Sequence, residues 1–355
     1  MRWESTLVKR GDQLLPAGKI PADLLQRLLT SYANQADDRV IAGASIGIDA
    51  AAIAFGDTVL VVKSDPITFP TPEAGRYLVN VNANDVACLG ADPRWMLVTA
   101  LLPEGQTTRD TVEELFSGLS AAANQLGISL VGGHTEVTVG LDRPILSGTL
   151  LGETTREDLL DITTSRPGDA ILLCRGVAIE GTAILAAEFR EDLAPYLAGD
   201  LIERAASYVE EPGISVVPAA RGLRRWRDDV RGLHDPTEGG IVSALHEIAE
   251  ATGYGLEVSA DHIQVLPETA AICEVLQVDP MGLIASGALL AIVDHRRASE
   301  IAETMTRMQI PTQIIGTLTD ERERTLIEGD RRRPMPVFAV DEIARKFASI
   351  EDEEN

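Results

Sequence analysis

The chain has 355 residues, 45% of them hydrophobic and 24% charged. These are ordinary values for a folded protein, and at ~150 residues per domain they predict about two domains. Lys and Arg number 31 against 55 Asp and Glu, a formal net charge of −24. That charge repels phosphate backbones and anionic lipid heads, so nucleic acid and membrane surfaces are excluded as general partners.

Residues 1–39 read as an N-terminal arm with no apolar signal core. Within it 15–21 is a loop punctuated by Pro and Gly, and 22–33 has helical apolar spacing. Two strands follow over 40–64, the second β-branched over 58–64. A helix is predicted over 73–89, ended by Gly90, and a strand over 94–102. The next helix, 107–126, has Thr107 or Thr108 as its cap, Asp110 in its first turn and Gly127 at its end. Strands over 128–131 and 144–152 complete a mixed N-terminal α/β domain over 40–155.

A polar connector over 154–168 leads into a second domain, 165–330. Its first strand, 170–174, is apolar throughout and reads as buried. Helices are expected near 180–190, 199–209 and 213–226, then a loop over 234–240 and a helix through 251. Strands over 255–258, 286–293 and 312–318 follow. Residues 328–336 read as a polar linker and 331–355 as a C-terminal tail with a frayed acidic end. The class is α+β in two domains. The longest apolar stretch, 282–293, falls short of the ~20 residues of a membrane helix, so a cytoplasmic protein is expected. Cys88, Cys174 and Cys273 have neither metal-ligand spacing nor the even number of a disulfide framework, and read as buried thiols.

Six polar islands interrupt this apolar pattern. They are Gly47 to Ala51, Ser64-Asp65-Pro66, Asn84-Asp85 inside a helix, Gly132 to Glu136 after a strand, Asp235 to Gly240, and Asp279 to Gly282 followed by Ser286-Gly287. Carboxylates are costly to bury alone, and several at strand ends beside glycines suggest a shared hard cation. Mg²⁺ takes oxygen ligands and keeps water and substrate phosphate in its shell, which makes Asp49, Asp65, Asp85 and Asp235 its natural ligands. Each also has a plainer reading: Asp49 as a turn former, Asp65 as the start of an Asp-Pro turn, Asp85 on a solvated helix face, Asp235 as a helix N-cap. Gly132 and Gly133 permit close backbone approach to a ligand. His134 is either functional or a satisfied polar residue, and Glu136 is a candidate ligand or acid/base, while His246, His262 and His295 read as structural. A P-loop, a dinucleotide fingerprint, a nucleophile elbow and a zincin helix are all missing from the sequence.

The order Gly-x-Asp49-Ala-Ala, Ser-Asp65, Asn84-Asp85-x-Ala-x-x-Gly-Ala, Gly132-Gly-His-Thr, Asp235-Pro-Thr-x-Gly-Gly resembles the aminoimidazole ribonucleotide (AIR) synthetase superfamily from about Lys19 to Val293. The Asp235 to Gly240 motif and the opening Gly18 to Pro21 resemble its HypE-like branch. The resemblance implies a two-domain PurM-like fold whose N-terminal sheet dimerises into a β-barrel beside a C-terminal α/β domain. It also implies ATP in a cleft with Mg²⁺ on Asp49, Asp65, Asp85 and Asp235, Asn84, Asp85, Gly132 and Gly133 lining the nucleotide, and Lys19 reaching a phosphate. Lys19, His134 and Glu136 become the candidate catalytic groups. The implied chemistry is phosphorylation of an oxygen of a carboxamide or other small acceptor, in a homodimer that works with a maturation partner protein. One departure stands out. HypE proper ends in a cysteine whose thiocarboxamide is dehydrated to thiocyanate, whereas this chain ends at Asn355 with no cysteine after Cys273. The expected acceptor is therefore another small molecule or a protein carboxamide. A non-catalytic nucleotide-binding scaffold and a small-molecule kinase like thiamine monophosphate kinase are the alternatives.

Overall fold

Strand and helix periods sort the chain into two sheets, each covered by helices. The structure is a computed structural model and describes residue 15 and residues 20–32, 37–43, 50–69, 71 and 73–354. The N-terminal half contains α1 (Ala22–Tyr32), β1 (Val40–Ala42), β2 (Ala51–Phe55), β3 (Thr58–Ile67), α2 (Ala74–Cys88), β4 (Asp92–Pro103), α3 (Arg109–Leu126), β5 (Ser129–Thr138) and β6 (Ile145–Thr154). Its sheet runs β1-β2-β3-β6-β4-β5, antiparallel except for the parallel pair β4–β5.

Period-2 alternation sets the two faces of this sheet. Val59, Val61, Lys63, Asp65 and Ile67 of β3 point toward α2, while Leu60, Val62, Ser64 and Pro66 point away. On β4 the same alternation buries Met96, Ala100 and Leu102 and leaves Trp95 and Leu97 exposed. Helix α3 has an ordinary amphipathic reason to form. A Thr108–Thr111 capping box starts it, Gly127 in the left-handed conformation ends it, and it buries only Leu119, Ala122, Ala123 and Leu126. Helix α2 differs: almost all of it is buried, including Asn80, Asn82, Asn84 and Asp85. A helix buried all round lies between two layers, and here they are the N-terminal sheet and the second domain.

The second domain contains β7 (Ala170–Cys174), α4 (Ile179–Glu188), α5 (Arg190–Leu193), α6 (Gly199–Ala206), α7 (Val217–Leu223), β8 (Val230–His234), α8 (Gly240–Thr252), β9 (Gly255–Ser259), α9 (Pro267–Leu276), β10 (Leu289–Val293), α10 (His295–Arg307), β11 (Thr312–Thr319), β12 (Arg324–Glu328), β13 (Arg331–Pro334) and α11 (Glu342–Glu354). Its sheet order is β13-β12-β9-β11-β7-β10-β8, antiparallel except for β12–β9. One apolar core runs from the N-terminal sheet through α2 into β7, α7 and β10, so the two domains share their packing. Ion pairs brace the rim: Arg221 and Arg224 hold Asp92 at 3.0 and 2.6 Å, and Arg227 holds Asp158 at 3.0 Å. Burial opposes ionisation of Asp92, but the two guanidiniums outweigh it and hold its carboxyl below the usual range.

Several expectations need correction. The 40–64 region forms three strands rather than two, and β3 is hydrogen-bonded to β2 and β6 on both sides. The Gly132 to Glu136 island lies inside β5. The segment read as linker and tail instead adds β13 to the sheet edge, buries Met335 and closes with α11. Its sequence, three arginines and a proline, is what an exposed edge strand uses against further pairing, which hides it from an apolar-period search. No helix of the described residues is long and apolar enough to cross a membrane.

Candidate active site

The polar side chains of the helix face of the N-terminal sheet meet the second domain along α2. Lys63, carried by β3, places its Nζ 2.9 Å from Asp85 Oδ2 on α2 and 3.2 Å from Asp65 Oδ2 on its own strand. Asp85 is buried, and Lys63 and Asp65 are partly exposed. Asn82 fixes the strand against the helix. Its Oδ1 accepts from the Asp65 backbone N–H at 2.9 Å, and its Nδ2 donates to the Leu78 carbonyl at 2.8 Å. One turn beyond Asp85, the Cys88 thiol donates to Asp235 Oδ1 at 3.4 Å, bringing the loop after β8 onto the same helix.

Asp235 opens the loop that leads into α8. Gly240 there has φ +65°, and a Cβ on it would sit 2.6 Å from the Met281 carbonyl oxygen, so the second glycine of the motif is a packing requirement. Asp341, just before α11, accepts from the Gly239 N–H at 2.6 Å. Its carboxyl is raised by burial although the backbone N–H groups of Ile343, Gly239 and Ile284 work against the shift. The C-terminal segment thus reaches the Asp235 loop.

Asn84 has a different task from the expected nucleotide contact. It is fully buried, donates to the Ile214 carbonyl at 3.0 Å and accepts from the Val216 N–H at 2.8 Å. Both ends of the amide staple α2 to the second domain.

His134 and Glu136 pair with each other at 3.0 Å. Their register partners are Thr99 and Leu101, on the face of the sheet turned away from α2. Within one chain the sheet therefore separates them from Lys63, Asp65 and Asp85. Gly133 has φ +141°, and a Cβ there would lie 1.8 Å from the Val98 carbonyl oxygen. The close backbone approach that the glycines suggested is to β4 of the chain itself. Lys19 and Asp49 lie outside the described residues.

Sequence reasoning missed Lys63 and Glu180. Lys63 is a charge on the inward-facing register of an apolar strand, and it is one of only four lysines. Glu180, in the first turn of α4, is buried, with Ser286 in hydrogen-bonding reach. Burial first, then the nearby Glu238 and Asp341, push its carboxyl up to about 7 against the hydrogen bonds from Ser286. All three thiols are buried; burial pushes Cys174 up to about 11 and Cys273 up to about 12, so neither is poised as a nucleophile.

The carboxylates Asp65, Asp85 and Asp235 are the oxygen-only donor type that Mg²⁺ takes, and the Lys63 ammonium already marks the place where positive charge is accommodated. Among the described residues no three acidic, His or Cys side chains converge closely enough to hold a metal ion by themselves. The donor set suits a cation that arrives with phosphate oxygens of its own, since Mg²⁺ commonly uses one or two carboxylates plus a nucleotide.

Residues 47–154 match the model for the AIR synthase related protein N-terminal domain, and 166–328 match that for its C-terminal domain. The chain is similar to carbamoyl dehydratase HypE of Rhodobacter capsulatus, 30% identical over 81% of this chain and 82% of that one. Carbamoyl dehydratase HypE of Cupriavidus necator is 31% identical over 68% of this chain and 65% of its own length. Among solved structures, hydrogenase maturation protein HypE in complex with ATP superimposes with a TM-score of 0.68 at 23% identity, over 92% of this chain and 97% of that one. That likeness carries the two-domain PurM-like fold. With both halves matched in order, the chain belongs to the AIR synthase related family, among its HypE-like members.

Proposed function

We propose that the protein uses MgATP to phosphorylate the oxygen of a carbamoyl or other carboxamide-type acceptor at the seam between its two domains. The observation that carries this reading is the pair of Lys63 with the buried Asp85, extended by Asp65 and faced by Asp235 across α2. The similarity to relatives named as carbamoyl dehydratases and to a HypE structure holding ATP supports the choice of donor and acceptor.

Phosphoryl transfer needs positioning and charge neutralisation more than covalent participation by the protein. Lys63 is placed to contact a phosphate oxygen and, in its absence, to bridge and neutralise Asp65 and Asp85. Mg²⁺, when bound, would neutralise phosphate charge; Asp65, Asp85 and Asp235 would hold it, with Asp49 as a further ligand implied by the motif. In the acceptor the amide oxygen bonds to phosphorus as the bond to ADP breaks, and the nitrogen gives up a proton. The phosphate then becomes the leaving group for loss of the former carbonyl oxygen.

Two copies are proposed to pair through the uncovered face of the N-terminal sheet, where Trp95 and Leu97 are exposed. His134 and Glu136 then belong to the same interface. Calorimetric titration of ATP with and without Mg²⁺ tests the main reading. Micromolar, Mg²⁺-dependent binding is expected in the wild type and at least 100-fold weaker binding in Asp85→Asn. A well-folded wild type that binds no ATP would return the scaffold alternative without its nucleotide and overturn the enzyme.

A further inference from the structure

The family match ends at residue 328, yet the chain goes on into a folded segment that clasps two loops of the second domain. The Phe338 ring fills the space that a Cβ on Gly282 would need, its nearest carbon 2.4 Å from that position. The Glu342 N–H donates to the Gly282 carbonyl at 3.1 Å, and Glu342 Oε2 accepts from the Asp279 N–H at 2.8 Å. Asp341 lies between these two anchors. Its Oδ1 accepts from the Ile343 N–H at 2.8 Å, as an ordinary cap at the start of α11 does. Its Oδ2 accepts from the Gly239 N–H at 2.6 Å, 102 residues away in sequence, and the Ile284 N–H faces the same carboxyl.

We propose that Asp341 is a positioning residue for the metal–nucleotide site: its carboxylate caps α8 from outside and fixes the loop that presents Asp235. This rests on the MgATP reading given above. Gly239 is the N-cap of α8 in the left-handed conformation, φ +76°, and has no side chain with which to cap the helix. A Cβ there would lie 2.1 Å from Ser243 Oγ, so the capping group cannot come from residue 239 itself. The free N–H groups of the first turn and the helix dipole favour a carboxylate from elsewhere, and Asp341 supplies it.

Asp235 and Gly239 belong to one short loop, drawn tight by the Gly240 N–H donating to the Thr237 carbonyl at 3.1 Å. A shift of Gly239 is therefore carried to Asp235. The Ala285 N–H donates to the same Thr237 carbonyl at 3.3 Å, so the Ile284 loop that Asp341 also faces moves with it. The placement of Asp341 has a cost. Burial raises its carboxyl, and the nearby Glu238 opposes its charge further. A Ser or Thr would cap α11 without that repulsion. A metal ligand, however, has to be held to within about 0.5 Å, and a charge-assisted hydrogen bond holds its loop more firmly than a neutral one.

Calorimetric ATP titrations of the full chain with and without Mg²⁺ measure the gain in affinity that Mg²⁺ confers. Asp341→Ala should cut that gain about ten-fold, the scale of a lost cap, with Mg²⁺-free ATP affinity unchanged. Asp341→Asn keeps the shape and one acceptor oxygen, so it carries the same comparison if the alanine variant is unfolded, with a loss of about three-fold. Phe338→Ala loosens the same segment from Gly282 and leaves the Asp341 carboxylate in place; it should lower the melt and keep the Mg²⁺ gain. A second readout needs no nucleotide: amide hydrogen exchange over 235–243 should quicken about ten-fold in Asp341→Ala and hold steady over 170–174. An unchanged Mg²⁺ gain in both Asp341 variants, an equal loss in Phe338→Ala, or unchanged exchange over 235–243 would each overturn the proposal. A wild type that binds no ATP would remove the MgATP reading, and loop exchange that still depends on Asp341 would keep the positioning of Asp235.

Discussion

The two faces of the N-terminal sheet invert the usual assignment of polar and apolar residues. The face covered by α2 and the second domain carries Lys63, Asp65 and, on the covering helix, Asn82, Asn84 and Asp85, most of them buried. The face turned to solvent carries Trp95, Leu97 and the part-exposed Leu60, Val62, Leu101 and Leu151. Buried polar groups are retained at a cost to stability when a ligand or a docking contact needs them, and an exposed apolar face is retained when something covers it. The first face is thus the one proposed as a site, and the second the one proposed as an interface.

The largest effect should come from the closed face. Lys63→Met removes the ammonium shared by Asp65 and Asp85 and leaves a buried carboxylate without that cation. Breaking a buried pair from one side costs about 3–5 kcal/mol, so urea melts should show a loss of that size, and turnover should vanish. A loss below ~1 kcal/mol would mean that Asp85 is hydrated and the pair is a surface one. Asn84→Ala comes next. It strips the partners of the Ile214 carbonyl and the Val216 N–H, both inside the domain seam. Two orphaned backbone groups cost about 2–4 kcal/mol together. The second domain should also become more open to proteolysis between 154 and 170, a change that loss of a nucleotide contact alone would not produce.

Glu180 gives the closed face a pH dependence of known sign. Its folded value of about 7 lies above the 4.5 of an ordinary glutamate. Between those values the folded state binds the extra proton, so stability is fully present below about 4.5 and is lost as pH rises through about 7. Glu180→Gln removes that slope. Relative to wild type, the variant should gain up to about 3 kcal/mol between pH 5 and pH 8. Equal slopes would show that Glu238 and Asp341 relax away from the carboxyl instead. The rim pair of Asp92 with Arg224 has the opposite sign, its contribution falling in acid, so the two are separable in one pH series.

The fold and the order of the motifs were legible because both rest on local signals: β-branched alternation in 58–64, the Thr108 cap, the glycine stop at Gly127, and an Asp in a helix interior at Asp85. The roles of individual residues were less so, because they depend on which face a residue occupies in a sheet whose order is set by non-local pairing. His134 and Asp65 looked like members of one site, yet β3 and β5 lie three strand positions apart and the two side chains leave opposite faces. Asn84 and Asp85 are adjacent in sequence, and the turn of the helix gives one to the domain seam and the other to Lys63. Glu180 sits in an apolar helical run and was invisible until the loops carrying Glu238, Ser286 and Asp341 were placed around it.

The open face supplies the smallest effect on the isolated chain and the sharpest contrast with the seam. Leu97 is 40% exposed and lies on a strand between β6 and the free edge strand β5. Leu97→Glu places a charge where a monomer has water, so it should change monomer stability by less than about 0.5 kcal/mol, as surface substitutions do. If a second copy covers that face, the same change buries an unpaired carboxylate in the interface, and association should weaken at least 100-fold. Light scattering at micromolar concentration separates the cases: wild type at twice the chain mass and the variant at the chain mass place the interface on this face. A dimer that survives the substitution would move it to the β5 edge or elsewhere, and His134 and Glu136 would then face solvent with no part in the site.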